Sequence, residues 1–346
     1  MERREISKDV YDKIIKQIPK KIIEMLPDKP ENLLKYATRI KEVQFSKNVD
    51  EPTKKLMKEK LLNDEEYLRT FFFVMAITFY NKKRVENPQI KIVAAQTGSG
   101  KSNLTAKLLR EDENYIFVDS DKYKHFRYDA KDIANEYQVL YPFLTGPDGY
   151  DHADNIYEYA IANKYNIIKE SAPSKNKGLL NVDTEELLKN NYKISVYILA
   201  VGELNSLLSV HERYELQIIH GLKTAKLTSV GRHDESYEAL IPNVEEIKDD
   251  KRINSINVYI RGNLDNAYSP TQVFPSERFC DIIECIKTIR EEDNENTKEE
   301  FKKRYELVHK QMEARKAPKE QFNQLEEIYG RSIKWRKCMQ NLLQRL

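Results

Sequence analysis

The sequence predicts an α/β fold, a three-layer α/β/α sandwich with a mostly parallel sheet, carrying helical N- and C-terminal extensions. Three observations predict it. Short apolar runs suited to strands alternate with helical periodicities from about residue 63 to 263. The first run, Ile90-Lys91-Ile92-Val93-Ala94-Ala95, leads into a glycine turn, Gln96-Thr97-Gly98-Ser99-Gly100, and then into a helix through Leu104, Leu108 and Leu109. Charged residues stand just after the later strands, where open parallel sheets bind ligands.

Residues 1–62 read as three helices. Val10, Ile14, Ile18 and Ile22 recur at helical spacing with a kink expected at Pro19; Leu33, Leu34, Ala37 and Ile40 mark a second helix, and Leu56, Met57 and Leu61 a third. The sandwich itself spans 63–263. Asn63-Asp64-Glu65-Glu66 caps a helix to about Asn81, and the apolar run Phe71–Ile77 within it is too short to cross a bilayer and predicts a buried helix. Further strands are expected at Tyr115–Val118, Tyr165–Ile168, Ile194–Leu199 and Ile256–Ile260, with helices near Ile156–Asn163, Thr184–Lys189 and Glu203–Leu216. The turn-rich segment Tyr141–Tyr150 reads as a substrate-side loop. Residues 264–346 read as mainly helical, with a helix at Arg278–Arg290 and then a charged stretch that is solvent-laced unless something covers it.

With 58 basic and 56 acidic residues among 346, the net charge is +2, which gives no electrostatic case for nucleic acid or membrane as the main partner. Cys280, Cys285 and Cys338 show neither metal-ligand spacing nor a disulfide framework, and Met1–Glu5 opens no secretory signal. A cytoplasmic location is expected.

The glycine turn carries the chemistry. Gly98 and Gly100 let backbone N–H groups close around a phosphate, Lys101 neutralises the outer phosphates, and the Ser102 hydroxyl suits Mg²⁺; with Ser99 and Asn103 these form the expected nucleotide-binding set. The upstream strand and the Lys-Ser pair set it apart from a chance turn. Ala95 stands where the pattern begins with glycine, which is tolerable at negative φ. After the second strand comes Asp119-Ser120-Asp121, after the third Glu170, and on the helix after the fourth His211-Glu212-Arg213-Tyr214.

In Gly98-Ser99-Gly100-Lys101-Ser102, Val118-Asp119-Ser120-Asp121-Lys122-Tyr123-Lys124, Asn166-Ile167-Ile168-Lys169-Glu170 and Leu207–Glu215, the chain resembles the zeta toxin family over about residues 64–250. That family is the kinase half of epsilon/zeta toxin–antitoxin systems. The resemblance implies a P-loop kinase using ATP and Mg²⁺ to phosphorylate UDP-N-acetylglucosamine on a sugar hydroxyl, poisoning cell-wall synthesis, with a small helical antitoxin as partner. By position, Asp121 matches the general base, Glu170 a glutamate near the substrate and Arg213 one of the phosphate-binding arginines, catalytic together with Lys101. Lys226 falls on the second arginine. Lys124 and Ser171 join Asp121 and Glu170 on the substrate side.

The family's glycine–threonine–arginine loop is replaced here by Glu170-Ser171-Ala172-Pro173-Ser174-Lys175, with Ala172 and Ser174 at the threonine and arginine positions and Lys175 one register further on. This thins the expected sugar-nucleotide contacts. Other readings stand beside these. Asp121 could cap the following helix, and Arg213 could pair with Glu212 or Glu215. His125, His152, His211 and His233 read as polar surface or capping residues, and Tyr123, Tyr128 and Tyr150 line either a cleft or the surface. Two functional alternatives remain: a P-loop kinase for another acceptor, such as a nucleotide cofactor or an antibiotic, and an ATP-switched protein-binding module without kinase activity. Residues 1–62 read as an inhibitor in cis, a docking face or a stabilising appendage.

Overall fold

The computed structural model describes residues 2–43, 45, 49–174, 184–262 and 269–343, without the side chains of 299 and 335–343. Lys175 and the Cys338 side chain lie outside the described set. In chain order the elements begin with β1 (Arg3–Glu5), α1 (Lys8–Ile14), α2 (Lys20–Met25), α3 (Pro30–Leu33), β2 (Thr38–Ile40), α4 (Glu51–Glu59) and α5 (Asp64–Phe79). Next come β3 (Gln89–Ala94), α6 (Lys101–Glu111), β4 (Tyr115–Val118), α7 (Ser120–Tyr123), α8 (Ala130–Glu136), α9 (Tyr141–Leu144), α10 (Gly146–Ala162) and β5 (Asn166–Ser171). They are followed by α11 (Thr184–Lys189), β6 (Lys193–Ala200), α12 (Glu203–Ile219), α13 (Val230–Ile247), β7 (Ile253–Ile260), β8 (Thr271–Phe274), α14 (Ile282–Ala314) and α15 (Lys319–Leu343).

The fold is mixed α/β, as the sequence predicts, with a mostly parallel sheet of six strands in the order β4-β5-β3-β6-β7-β8. β4 runs parallel to β5 and β6 parallel to β7, while β8 is antiparallel to β7. By contact density the chain divides into two units. The first comprises Met1–Ile90, Asp112–Lys169 and Glu186–Tyr192, the second Lys91–Glu111, Glu170–Glu185 and Lys193–Leu346.

The first unit is built on α5. Its start is set by a capping box in which the Asn63 side chain accepts from the Glu66 N–H and Glu66 reaches back to the Asn63 N–H. Tyr67, Leu68, Phe71, Phe72 and Met75 are fully buried along it, and α1 and α2 pack against it, Tyr11 meeting Phe72. Pro19 separates α1 from α2 as the residue before the second helix, where a break replaces the expected kink. The second N-terminal helix is also not continuous. Residues 34–36 tighten into a 3₁₀ turn, and 38–40 form β2, paired antiparallel with β1.

Buried charge explains why the chain extends there. Asp148 on α10 accepts from Arg39 at 2.9 Å, from Arg127 at 2.6 Å and from the Leu62 N–H at 3.2 Å, and Asp151 accepts from Arg3 and from the Ile40 N–H. The antiparallel pair of β1 and β2 presents Arg3, Arg39 and the Ile40 N–H together. The segment 141–150 is consequently α9 and the start of α10, not a loop.

The second unit has two apolar clusters. Val196, Ile198, Val258, Leu240 and Val244 pack with Ile282, Ile283 and Ile286 at the start of α14. Leu204, Leu207 and Leu208 of α12 pack with Phe301, Val308 and Met312 further along α14 and with Leu325 and Ile328 of α15. The charged C-terminal helices are therefore covered by this chain itself. α13, a helix not expected from the sequence, carries Pro242 inside it; Ser229 caps its start, its side chain accepting from the Arg232 N–H. Among the described residues no helix is long and apolar enough to cross a membrane.

Candidate nucleotide site

β3 ends at Ala94 and the chain turns through 95–100 before α6 begins at Lys101. Gly98 and Gly100 adopt φ of 79° and 93°, the left-handed conformation that glycine tolerates, whereas Ala95 is not in that region. A Cβ on Gly98 would lie 2.1 Å from the Ser206 carbonyl oxygen, so the loop seats against α12 by virtue of having no side chain there. Gln96 donates to the Val201 carbonyl at 2.7 Å, and the Thr97 N–H donates to Ser236 of α13 at 3.2 Å. Behind the loop, buried Arg290 of α14 donates to Gln96 Oε1 and to the Tyr237 carbonyl, its guanidinium 3.9 Å from the Tyr237 ring centre.

The Lys101 ammonium donates to the Ala95 and Gln96 carbonyls at 2.9 and 3.1 Å. Burial pushes its pKa down to about 8; Glu170 opposes this, and the charges of Arg213 and Arg232 add to it. Glu170, at the end of β5, also accepts from the Thr105 hydroxyl at 2.8 Å, one turn along α6. Ser102 and Asn103 lie exposed in the first turn of α6, and Ser99 Oγ is buried without a hydrogen-bond partner among the described residues. An oxygen-donor set of the Ser102 hydroxyl with phosphate oxygens suits Mg²⁺.

Glu212 is held by Arg304 through contacts of 2.7 and 2.6 Å, and buried Glu215 by Arg315 through contacts of 2.7 and 2.6 Å. Each of these carboxylates thus has an arginine partner from α14 or the residue after it, and the charge of Arg213 acts on Lys101. Lys226 is exposed, and the charge of Arg232, a residue not singled out from the sequence, acts on Lys101. Arg261 was likewise missed, although it follows β7 directly; it lies beside Gly100 and donates to Asn205 and Ser209 of α12. The rule that flagged residues after the other strands would have found it. The Ser171 carbonyl accepts from the Ala95 N–H at 3.3 Å, and Ser174 is buried.

In the first unit, Asp119 rather than Asp121 caps α7, accepting from the N–H groups of Asp121 and Lys122. Asp121 projects from that turn, and buried Lys124 donates to it. Three of the four histidines expected to be polar surface or capping residues belong to the interior instead. His152, His211 and His233 are fully buried, the first stacked on Tyr67, and burial lowers the pKa of His152 to about 3 and of His211 to about 4. Of the tyrosines, Tyr123 is core while Tyr128 and Tyr150 are exposed. No group of three or more His, Cys, Asp or Glu side chains suited to a metal occurs among the described residues.

A strand, a left-handed glycine turn and a lysine at the start of the following helix define a phosphate-binding-loop α/β protein. The sequence profile of the family described as Zeta toxin matches residues 75–272, and the chain belongs to that family. It is 26% identical over 182 residues to the toxin zeta proteins of Enterococcus hirae and Streptococcus pyogenes, covering 52% of this chain and 63% of each relative. It therefore spans less than two thirds of their length. A solved structure from a study of the PezAT chromosomal toxin–antitoxin system of Streptococcus pneumoniae superposes with a TM-score of 0.56 at 17% identity, covering 72% of this chain and 98% of that one. That likeness concerns the fold.

Proposed function

We propose that this chain is an ATP-dependent kinase that phosphorylates a hydroxyl of UDP-N-acetylglucosamine or a related nucleotide and acts as a toxin to the cell. The observation that carries this reading is Lys101 set in a left-handed glycine cradle with Glu170, Arg213 and Arg232 acting on its ammonium. Lys101 and the loop N–H groups hold the outer phosphates, and Arg213 absorbs charge on the transferring phosphoryl. The Ser102 hydroxyl would hold Mg²⁺, which would supply positive charge to the phosphates when bound. Asp121 takes the proton of the acceptor hydroxyl while that oxygen bonds to phosphorus and ADP departs. Family membership and the toxin–antitoxin system named for the solved relative support a helical antitoxin acting in trans.

The test is phosphate transfer from ATP to UDP-N-acetylglucosamine by the purified chain, beside Lys101→Ala and Asp121→Asn. We expect Asp121→Asn to lose about 10²- to 10⁴-fold in rate with ATP affinity intact, and Lys101→Ala to lose both. Turnover by Asp121→Asn within threefold of the original chain would remove Asp121 from this role. A P-loop kinase for a different acceptor, such as a nucleotide cofactor or an antibiotic, is the second reading. It is favoured by Ser174, which is buried where the family carries an arginine. A metabolite screen for ATP-dependent phosphorylation separates the two.

A further inference from the structure

The pair formed by Lys124 and Asp121 is lopsided: the lysine side chain is 6% exposed and the carboxylate 85%. The lysine stem lies against Gly149 of α10, where a Cβ would come within 2.7 Å of Lys124 Cγ and 2.9 Å of the Ser120 carbonyl oxygen. Its ammonium donates to Asp121 Oδ1 and lies 5.1 Å from the Tyr150 ring centre, and its carbonyl accepts from the Tyr141 hydroxyl at 3.3 Å. Taking an ammonium out of water costs several kcal/mol, which a structural ion pair recovers when both ends are buried and well bonded. A pair with one end in water recovers little. The arrangement is a poor stabiliser, but it suits a carboxylate that must be held still and remain accessible.

We infer that Lys124 is a positioning residue for Asp121: it holds the carboxylate in place and supplies the positive charge beside it, and it does not itself bind the acceptor. This rests on the reading of Asp121 as proton acceptor. The proton that moves goes from the acceptor hydroxyl to Asp121. The titratable and charged groups around Asp121 include Asp119 and Lys122 on its own turn, Lys124 and His125 on the next and Tyr141 from α9, with Tyr150 of α10 against the Lys124 ammonium. Lys124 donates directly to the carboxylate. An adjacent cation favours the ionised carboxylate, so removing it moves the acidic limb of the rate profile to higher pH.

The experiment compares pH–rate profiles of the full chain with Lys124→Met, Lys124→Arg and Asp121→Asn, using ATP with UDP-N-acetylglucosamine and, separately, with water as acceptor. ATP affinity and the carboxyl ¹³C titration of Asp121, assigned through Asp121→Asn, are measured on the same proteins. We expect Lys124→Met to raise the acidic limb and the carboxyl titration by about one pH unit and to lower kcat, with acceptor KM and ATP affinity within twofold. Lys124→Arg should restore the limb. An unmoved limb with a raised acceptor KM would make Lys124 a substrate ligand and overturn the inference. Retained turnover in Asp121→Asn would instead overturn the role of Asp121 as base. If neither acceptor is turned over, the carboxyl titration decides, and a signal unmoved by Lys124→Met overturns the inference.

Discussion

Lys101 gives the loop a pH signature. Its ammonium is half deprotonated near pH 8 in the free protein, because burial and two neighbouring arginines outweigh Glu170. A triphosphate favours the cation, so ATP affinity should be full well below pH 8 and fall as pH rises through and above it, by up to roughly thirtyfold from pH 7 to 9.5. Calorimetric titration at the two values measures this; equal affinities would show that Lys101 stays charged. Gly98 offers a second reading of the same loop. Its Cβ would meet the Ser206 carbonyl at 2.1 Å, whereas one on Gly100 has nothing nearer than Arg261 Nε at 3.9 Å. Gly98→Ala should therefore weaken ATP binding more than Gly100→Ala, although both carry positive φ. The loop was legible at this scale because its chemistry is local in sequence. Arg232 and Arg290 were not, since what brings each to the loop is a helix packed from far along the chain. The three buried histidines were misread for a related reason: a histidine in a helix looks the same in sequence whether its face is wet or packed.

Among the elements, apolar runs marked the central strands because a strand covered on both faces has little need of polar residues. Periodicity misled in residues 33–40, where helical spacing of apolar residues lost to the demand for Arg39 at Asp148. Arg39→Met should expose that demand. It leaves Asp148, buried in α10, with one arginine instead of two, and we expect a loss of about 3 kcal/mol, or roughly 6–10 °C in Tm. A thermal melt within 2 °C of the original chain would show that Arg127 suffices. By the same argument, a chain beginning at Asn63 should be unstable rather than more active. The inhibitory reading of residues 1–62 required the opposite.

At the scale of the whole molecule, the family match ends at residue 272, ahead of α14 and α15, yet those helices complete both apolar clusters of the second unit. A chain ending at 272 should lose cooperative unfolding and ATP binding together, as followed by circular dichroism and nucleotide titration. The sequence presented this region as a charged stretch because its buried residues are sparse and spread along one long helix. Its partner face on α12 lies about ninety residues upstream. The link from Arg290 to Gln96 spans 194 residues and carries a consequence for the cell that makes the protein. A ribosome adding about 5–20 residues per second finishes Arg290 roughly 10–40 s after Gln96. Throughout that interval the nucleotide loop lacks its strut, so in the cell that makes the protein the loop reaches its final setting only once α14 has been synthesised.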